Sequence, residues 1–279
     1  MDHTIRVLQC NLNHCRSAQD LVLQTFAQWS IALAVVAEPY RIPDHPRWFG
    51  DELDSVAIYW GGSQGDPPCA LIERGQGFVA TEWGHLAVVG CYISPNCTLV
   101  EFEVYLDAVG NCIRRCLPRP VLLLGDFNAH SREWGSPQDN PRGETIVEWA
   151  AGIDLRLLNR GSVSTCVRWQ GESIVDLSWA TPSATHMVSG WRVAEEVVTL
   201  SDHRHIFMDV ALRPPGRASR RDGSLPRRWA LKRLDRDLLE AAVIVAAWSD
   251  GHTLPDPLIN QLHHAVYPNP GSISKVLQF

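Results

Sequence analysis

The sequence of 279 residues has no run of about 18 consecutive uncharged apolar residues, the length that a helix needs to cross a bilayer. Its first ten residues, MDHTIRVLQC, include an aspartate and no long apolar segment, unlike a secretory signal peptide. An internal period of about 20–50 residues is also missing, which excludes repeat architectures. We therefore expect an intracellular protein, nuclear or cytoplasmic, that is neither secreted nor bound to a membrane.

Cysteine pairs spaced C-x-x-C are absent, although the chain has 8 cysteines. Without a secretory signal, these thiols are expected to be reduced core residues rather than a disulfide framework. Cys112 and Cys116 are spaced so that they could face one another on a helix and bind zinc. No histidine completes a ligand set there, so simple packing is the favoured interpretation.

The chain also lacks an excess of positive charge, since its formal net charge is −6. Residues 1–213 hold 16 arginines against 25 acidic residues, a net charge of −9, and residues 214–279 are net +3. This balance excludes a broad basic face as the source of affinity for nucleic acid. It favours a cluster of carboxylates around a divalent cation, because the ion would bring the positive charge into the site.

What the sequence does contain is a globular composition, with 45% hydrophobic and 20% charged residues. Short segments rich in β-branched residues, bounded by Gly, Pro, Asn or Asp, predict nine strands. These segments are Ile5–Cys10, Ala32–Ala37, Val56–Trp60, Ala70–Ile72, Phe78–Trp83, Leu86–Tyr92, Val121–Leu124, Ile174–Trp179 and Ile206–Leu212. Several lie too close together for crossover helices and should pair antiparallel.

Capping-box sequences predict helices that open at Ser17–Asp20 and at Thr98–Glu101, and a third helix is expected at Glu144–Ala151. Together with the strands, these helices predict an α/β fold, a sandwich of mixed β-sheets with helices on the outer faces.

The composition changes near Arg213, where Pro214-Pro215-Gly216 begins an arginine-rich stretch that reads as a linker. The 45 or so residues after this stretch hold two helix-like segments, too few for an independent core. We predict a main domain at 1–213, a basic linker at 214–234 and a helical remnant of a following module at 235–279.

Polar residues lie where the predicted strands end, which is where open α/β sheets place their chemistry. They are Asn11 and Asn13, Glu38, Tyr92, Asp126 and Asn128, and, just before the last strand, Asp202 and His203. The members of each N-x-N or D-x-N pair are two residues apart, so in extended backbone they project from one face and converge. Alternatively, each is a turn former that bonds its own backbone.

Glu38 follows seven largely apolar residues and precedes a proline. An unpartnered carboxylate at the edge of a core costs several kcal/mol, and a metal ion would relieve that cost. The adjacent side chains of Asp202 and His203 leave the backbone in opposite directions and need different partners, and Asp176 is a candidate to orient His203. The alternative for Asp202 and His203 is a surface turn.

Taken in order, the motifs N-x-N, E-P, Y-x-S-P-N, G-D-F-N-A-H, V-D-L and S-D-H resemble those of the endonuclease/exonuclease/phosphatase superfamily, which includes DNase I and the apurinic/apyrimidinic endonucleases. The resemblance covers roughly residues 5–212. The run G-D-F-N-A-H-S-R-E-W-G, the strand V-D-L-S-W and the S-D-H ending are most similar to the endonuclease domain of non-LTR, LINE-type retrotransposons, particularly insect-type elements that insert at defined sites. It implies that residues 1–213 are an endonuclease domain with a DNase I-like fold, a four-layer sandwich of two mixed β-sheets flanked by helices.

The resemblance implies a metal-dependent phosphodiester hydrolase that nicks double-stranded DNA and leaves a 3′-OH, which primes reverse transcription in such elements. Mg²⁺, or alternatively Mn²⁺, would be bound by Glu38, Asn13 and Asp202. The implied partners are double-stranded DNA and, in a full-length relative, a reverse transcriptase in cis. We expect a monomer.

The same resemblance assigns roles to the remaining polar residues. Asp126 would position or deprotonate the attacking water, Asn128 would bond the phosphate, and Asn11 would bridge side chains of the site. His203, held by Asp176, would donate a hydrogen bond to the phosphoryl oxygen.

Two features depart from the family pattern. Apurinic endonucleases carry Asp where Asn13 stands, which removes one formal charge from the metal site, although retrotransposon members resemble this sequence in using Asn. The family pattern Tyr-x-Pro-Asn is one residue longer here, as Tyr92-Ile-Ser-Pro-Asn96. Tyr92 therefore either contacts phosphate or is only a strand residue.

Contacts with DNA beyond the phosphate must come from loops, because the domain is acidic. Residues 161–173 predict a hairpin, and in the family a hairpin at this place leans into the duplex groove. Arg168 beside Trp169 would enter a minor groove, and the alternative is a hairpin tip with Trp169 folded back on the sheet. Arg132 either meets phosphate or is a solvated surface residue.

Two other functions stay open at this point. One is a phosphatase or phosphodiesterase on the same fold, which the retrotransposon-like run and the basic linker disfavour. The other is an inactive DNA-binding remnant, which the complete set of polar groups disfavours.

Overall fold

The structure is a computed structural model that describes residues 4–63 and 65–211. The predicted linker at 214–234 and the predicted helical segment at 235–279 lie outside the described residues. Within the described ranges, no helix is both long enough and apolar enough to traverse a bilayer.

Fourteen strands and four α-helices make up the described chain. The strands are β1 (Thr4–Asn11), β2 (Leu33–Ala37), β3 (Trp48–Gly50), β4 (Val56–Trp60), β5 (Cys69–Gly75), β6 (Phe78–Trp83), β7 (Leu86–Tyr92), β8 (Val121–Asp126), β9 (Arg156–Leu157), β10 (Cys166–Arg168), β11 (Gly171–Ser173), β12 (Asp176–Ala180), β13 (Val188–Ala194) and β14 (His205–Ala211). The helices are α1 (Arg16–Gln28), α2 (Leu99–Cys116), α3 (Pro141–Gly152) and α4 (Pro182–Thr185), and a 3-10 helix covers Arg132–Trp134.

The strands form two six-stranded sheets and one small hairpin. The first sheet has the order β13-β14-β1-β2-β4-β3, and the second has the order β5-β6-β7-β8-β12-β9. In each sheet one neighbouring pair is parallel, β1 with β2 and β7 with β8, and a helix connects the two strands of each pair. The other pairs are antiparallel, including β5 with β6 and β6 with β7 as the sequence predicts.

Three apolar clusters separate four layers. The inner faces of the two sheets pack on one another through residues such as Val35, Ile58 and Leu122. Helix α1 covers the outer face of the first sheet, and helices α2 and α3 cover the outer face of the second. The predicted α/β sandwich with helices on its outer faces is therefore confirmed.

Some local predictions were wrong. Helix α1 begins at Arg16, and its N-cap Cys15 makes no side-chain capping bond, so Ser17 lies inside the helix. The capping box predicted at Thr98–Glu101 is present. Three strands, β3, β9 and β13, were not predicted; the hydrophobic alternation of β13 is broken by a bulge beside Gly190, a residue with φ 62°.

All 8 cysteines are free, as expected. Five of them are buried, including Cys112 and Cys116, which lie on the buried face of helix α2.

Candidate active site

The candidate active site lies at the edge of the sandwich where the two parallel strand pairs end. Strand β1 ends at Asn11, β7 at Tyr92 and β8 at Asp126, and Glu38 is the first residue after β2. Antiparallel neighbours begin at the same edge, since Asp176 is paired directly with Asp126. The topology therefore brings side chains from both sheets to one place.

Asn11 links the two sheets at this edge. Its buried amide nitrogen donates to Oε2 of Glu38 at 2.9 Å and to Oδ2 of Asp126, also at 2.9 Å. This single amide therefore fixes the distance between two carboxylates, one from each sheet. Two residues earlier, Gln9 donates to the carbonyl oxygens of Gly125 and Leu177, which further ties β1 to the second sheet.

Both oxygens of Glu38 are oriented by donors. The hydroxyl of Tyr92 donates to Oε1 at 2.6 Å, and Nε2 of His14 lies 3.4 Å from the same oxygen. Burial and the hydrogen bond to Glu38 raise the pKa of Tyr92 far above its usual value, so the phenol remains a donor. Tyr92 is therefore a strand residue that also holds Glu38.

The residues two positions after Asn11 and Asp126 do not continue the strands. Asn13 and Asn128 have φ of 45° and 46°, and each donates its backbone N–H to the side-chain oxygen two residues before it. The prediction that each pair projects from one face of extended backbone is therefore wrong, because the local turn chemistry ends the strand first. Asn13 is exposed, whereas Asn128 is half-buried and donates its amide to the carbonyl oxygen of Ile93.

Asp126 is 1% exposed and lies in a concentration of negative charge. Burial, followed by the charge of Asp176, raises the pKa of Asp126 to about 7, although His203 and the N–H of Asn128 act in the opposite direction. The charge of Glu38 raises it further. A carboxyl group with this pKa exchanges a proton readily near neutral pH.

His203 and Asp176 form a buried pair, with Nδ1 of the imidazole 2.8 Å from Oδ2 of the carboxylate. Burial by itself lowers the pKa of His203, but the charge and hydrogen bond of Asp176 outweigh it and hold this pKa well above its usual value. Atoms of Asp126, Asp176 and His203 lie within 4.8 Å of one another. The Asp126 carboxylate therefore faces a hydrogen-bonded imidazole across a short gap.

Asp202 lies on the other side of the imidazole, with Oδ1 at 3.8 Å from Nε2 of His203. Its Oδ2 accepts a hydrogen bond from Nε of Arg168 at 2.5 Å. Although burial raises the pKa of Asp202, the hydrogen bond from Arg168 and the charge of His203 lower it overall. Arg168 is thus held at the site by an ion pair.

The predicted hairpin is formed by β10 and β11, and its tip exposes Trp169. That side chain is 92% exposed, so the alternative in which Trp169 folds back on the sheet is wrong. Arg132 has a side chain that is 75% exposed and lies 3.7 Å from Asp139.

Some residues that build the site were not predicted. The hydroxyl of Thr165 accepts the N–H of Asp176 at 3.2 Å, and Ser201 donates its hydroxyl to the carbonyl oxygen of Asn11 and accepts the N–H of His203. The serine of the S-D-H motif was a usable signal for the second contact. Thr165 has no local signature, because its partner is 11 residues away.

Comparisons with known proteins show which families share this fold and sequence. A family profile described as endonuclease-reverse transcriptase matches residues 86–207. The endonuclease domain of TRAS1, a telomere-specific non-LTR retrotransposon, superposes with a TM-score of 0.65 and 25% identity over 75% of this chain and 99% of that one. Residues 86–207 thus match a retrotransposon-type endonuclease family, and the described domain is similar in fold to nucleases of the endonuclease/exonuclease/phosphatase superfamily.

Other neighbours of this endonuclease domain share its fold at lower identity. The 3′-5′ exonuclease NExo from Neisseria meningitidis has a TM-score of 0.59 and 14% identity over 74% of this chain and 99% of its own. An AP endonuclease from Archaeoglobus fulgidus has a TM-score of 0.57 and 10% identity over 73% of this chain and 98% of its own. No curated protein sequence matches the chain. The domain has the fold of a nuclease, and it is a phosphodiester hydrolase.

The donor set of the endonuclease fits a hard divalent cation. Carboxylate and amide oxygens are the ligands that Mg²⁺ accepts, and one or two carboxylates suffice because this ion keeps several waters. Glu38 and Asp126 are joined by one amide, and the pKa of Asp126 is raised first by burial and then by the negative charges of Asp176 and Glu38. A bound cation would offset these negative charges.

Proposed function

We propose that the domain is a Mg²⁺-dependent endonuclease that nicks double-stranded DNA and leaves a 3′-OH. The observation that carries this proposal is the convergence of Asn11, Glu38, Asp126, Asp176 and His203 at one edge of the sandwich. Such a site needs a means to activate water, to orient the phosphate and to stabilise developing charge. We also propose that the domain acts as a monomer.

In this mechanism Glu38 would hold Mg²⁺, with Asn13 and Asp202 as further oxygen ligands. When bound, the ion neutralises charge on the phosphate oxygens and on the leaving 3′ oxygen. Tyr92 and Asn11 keep the Glu38 carboxylate in place, since each donates to one of its oxygens.

Asp126 orients the attacking water and accepts its proton. Its pKa of about 7 would fall when a cation is bound nearby, so the ionised carboxylate is the form that would accept the proton near neutral pH. Asn128, whose amide is oriented by the carbonyl oxygen of Ile93, offers its remaining polar atoms to the phosphate.

His203 donates a hydrogen bond from Nε2 to a phosphoryl oxygen, because Nδ1 is occupied by Asp176. The raised pKa favours the protonated imidazole, which is the form that stabilises negative charge. Asp176 acts as a positioning residue.

The hairpin supplies contacts to the duplex. Trp169 at the exposed tip would wedge into a base step of the minor groove, and Arg168 would meet the groove beside it. Arg132, exposed after the Asp126 loop, is proposed as a phosphate contact. In a full-length relative the nick would prime a reverse transcriptase in cis, an association that the name of the matched family profile supports.

The test uses supercoiled plasmid with Mg²⁺ or EDTA, followed by extension of the nick by a DNA polymerase that requires a 3′-OH. We expect nicking with Mg²⁺, none with EDTA, and a loss of at least about hundredfold in Asp126→Ala and His203→Ala. The matched control is His85→Ala, an exposed histidine in the turn between β6 and β7. Urea unfolding of each variant checks that the fold is intact.

Equal nicking by the wild-type protein and by both active-site variants would refute the proposal. Release of phosphate from inositol phosphates without plasmid nicking would favour the phosphatase alternative. DNA binding without turnover would favour the inactive remnant.

A further inference from the structure

Strand β10 of the hairpin pairs with the segment that carries His203. The N–H of Val167 donates to the carbonyl oxygen of Asp202 at 2.7 Å, and the N–H of Arg204 donates to that of Thr165, also at 2.7 Å. These two bonds flank an isolated antiparallel bridge between Cys166 and His203. In such a non-hydrogen-bonded pair the two side chains lie directly opposite and close together.

This pairing assembles a cluster that the nuclease mechanism does not use as a unit. The sulfur of Cys166, a carboxylate oxygen of Asp202 and a ring nitrogen of His203 all lie within 4.8 Å of one another. Cys166 is free and 4% exposed, and the side chain of Asp202 is 19% exposed. The cluster is therefore mostly enclosed, and solvent reaches it on the side of Asp202.

The imidazole is already arranged as a metal ligand. Its Nδ1 is hydrogen-bonded to Asp176, and a carboxylate on the far nitrogen is the usual partner of a histidine that binds zinc. The free Nε2 faces Oδ1 of Asp202, while Arg168 occupies the other oxygen of that carboxylate. A cation between Nε2 and Oδ1 would release the Nε2 proton of the imidazole to solvent, but it would not have to displace Arg168.

Thiolate, imidazole and carboxylate together suit Zn²⁺, which accepts three protein ligands and a water in a tetrahedron. A hard ion such as Mg²⁺ prefers oxygen ligands instead. We propose that Cys166, Asp202 and His203 form a second cation site that binds Zn²⁺ and, when occupied, inhibits the nuclease. The site shares Asp202 and His203 with the proposed mechanism, but zinc binding can be measured without nuclease activity. Only the inhibition rests on the proposed function, because zinc would take the Nε2 that the proposed mechanism directs to the phosphate.

The binding test uses the purified full chain with Co²⁺ as a spectroscopic probe and with Zn²⁺ titrated against a chromophoric chelator. We expect a near-ultraviolet thiolate-to-cobalt band in the wild-type protein, its displacement by Zn²⁺, and loss of the band in Cys166→Ser. The Zn²⁺ affinity of Cys166→Ser should fall by at least about tenfold.

The matched control is Cys15→Ser, because Cys15 is a half-buried thiol that follows another histidine at the site, His14. It should keep both the band and the affinity. Asp202→Asn leaves the buried thiol in place and should also bind Zn²⁺ at least about tenfold more weakly, so the test does not depend on Cys166→Ser alone. Unchanged affinity in both Cys166→Ser and Asp202→Asn, or a cobalt band that survives Cys166→Ser, would overturn the site.

The activity test adds Zn²⁺ to Mg²⁺-supported plasmid nicking. We expect inhibition of the wild-type protein and of Cys15→Ser, and at least about tenfold more Zn²⁺ for the same inhibition of Cys166→Ser. Equal inhibition of all three proteins would overturn the inhibitory part of the inference. A protein that binds Zn²⁺ through Cys166 but never nicks DNA would instead contradict the proposed nuclease function.

Discussion

His205 provides a stability prediction whose size follows from its surroundings. This residue begins β14 and is 1% exposed, with its ring edge-on to Phe207 at 6.2 Å. Within the described part of the chain, neither of its ring nitrogens has a hydrogen-bond partner. Burial lowers the pKa of His205 from 6.5 to about 4, because the charged imidazole would lose its hydration without gaining a partner.

The depressed pKa gives the sign of the effect. The folded protein prefers neutral His205, so the full stability is present above pH of about 6.5 and is lost as the pH falls toward 4. Protonation of His205 would make the free energy of unfolding about 2.5 kcal/mol lower at about pH 4.5 than at about pH 7.5. For a domain of this size that corresponds to a drop of roughly 5–10 °C in melting temperature.

The assay is urea unfolding followed by tryptophan fluorescence at both pH values, for the wild-type protein and for His205→Leu. Other groups titrate in both proteins, so the difference between the two pH dependences isolates His205. We expect the wild-type protein to lose about 2.5 kcal/mol more than the variant on acidification. Identical losses would refute the reasoning, because they would mean that His205 is hydrated or already protonated in the native state.

Three further predictions concern the active site and its support. Asp176→Asn should slow nicking by at least about hundredfold with little change in DNA binding, measured by single-turnover nicking and gel shift, because it removes the charge that holds the imidazole. Tyr92→Phe should lower the free energy of unfolding by about 1.5–3 kcal/mol, measured in urea, since it deletes a hydrogen bond to the Glu38 carboxylate. Gly125→Ala should destabilise by about 1–3 kcal/mol in thermal unfolding, because the added methyl group overlaps the carbonyl oxygen of Cys91.

Two of these predictions have a matched control variant. Gly152→Ala adds a methyl group where no atom lies within 4 Å, so its melting temperature should stay near that of the wild-type protein. If Gly125→Ala behaved in the same way, the close approach of β7 and β8 would be the wrong explanation. Asp139→Asn changes an exposed carboxylate and should leave nicking unaltered, and a full rate in Asp176→Asn would remove Asp176 from the mechanism.

The sequence predicted what local chemistry controls. Alternation and β-branched composition located the strands that end at Asn11, Tyr92 and Asp126, and the capping box located helix α2. Prediction from the sequence failed where a local pattern competes with tertiary contacts. Helix α1 starts one residue before Ser17, with Gln19 turned to hydrogen-bond the backbone of Arg41 in the segment after Glu38.

The geometry of the site was less predictable than its membership. Asn11, Glu38 and Asp126 are joined by contacts that span 27 and 115 residues, and no spacing in the chain encodes them. The ion pair of Arg168 with Asp202 and the bridge of Cys166 to His203 depend on the hairpin of β10 and β11. Its strands have only three residues each, which is too short for hydrophobic alternation to show which residues they pair with.

The antiparallel pairing of β14 with β1 sets the order in which this domain completes itself during synthesis. Residues 4–11 are made about 200 residues before β14, so they find one of their two partner strands only after residue 206 has been made. On the proposed mechanism, a nascent chain cannot cut DNA until that closing strand has arrived, because the imidazole at 203 immediately precedes it. A chain that stops short of β14 should therefore be inactive, however complete the rest of its site residues are.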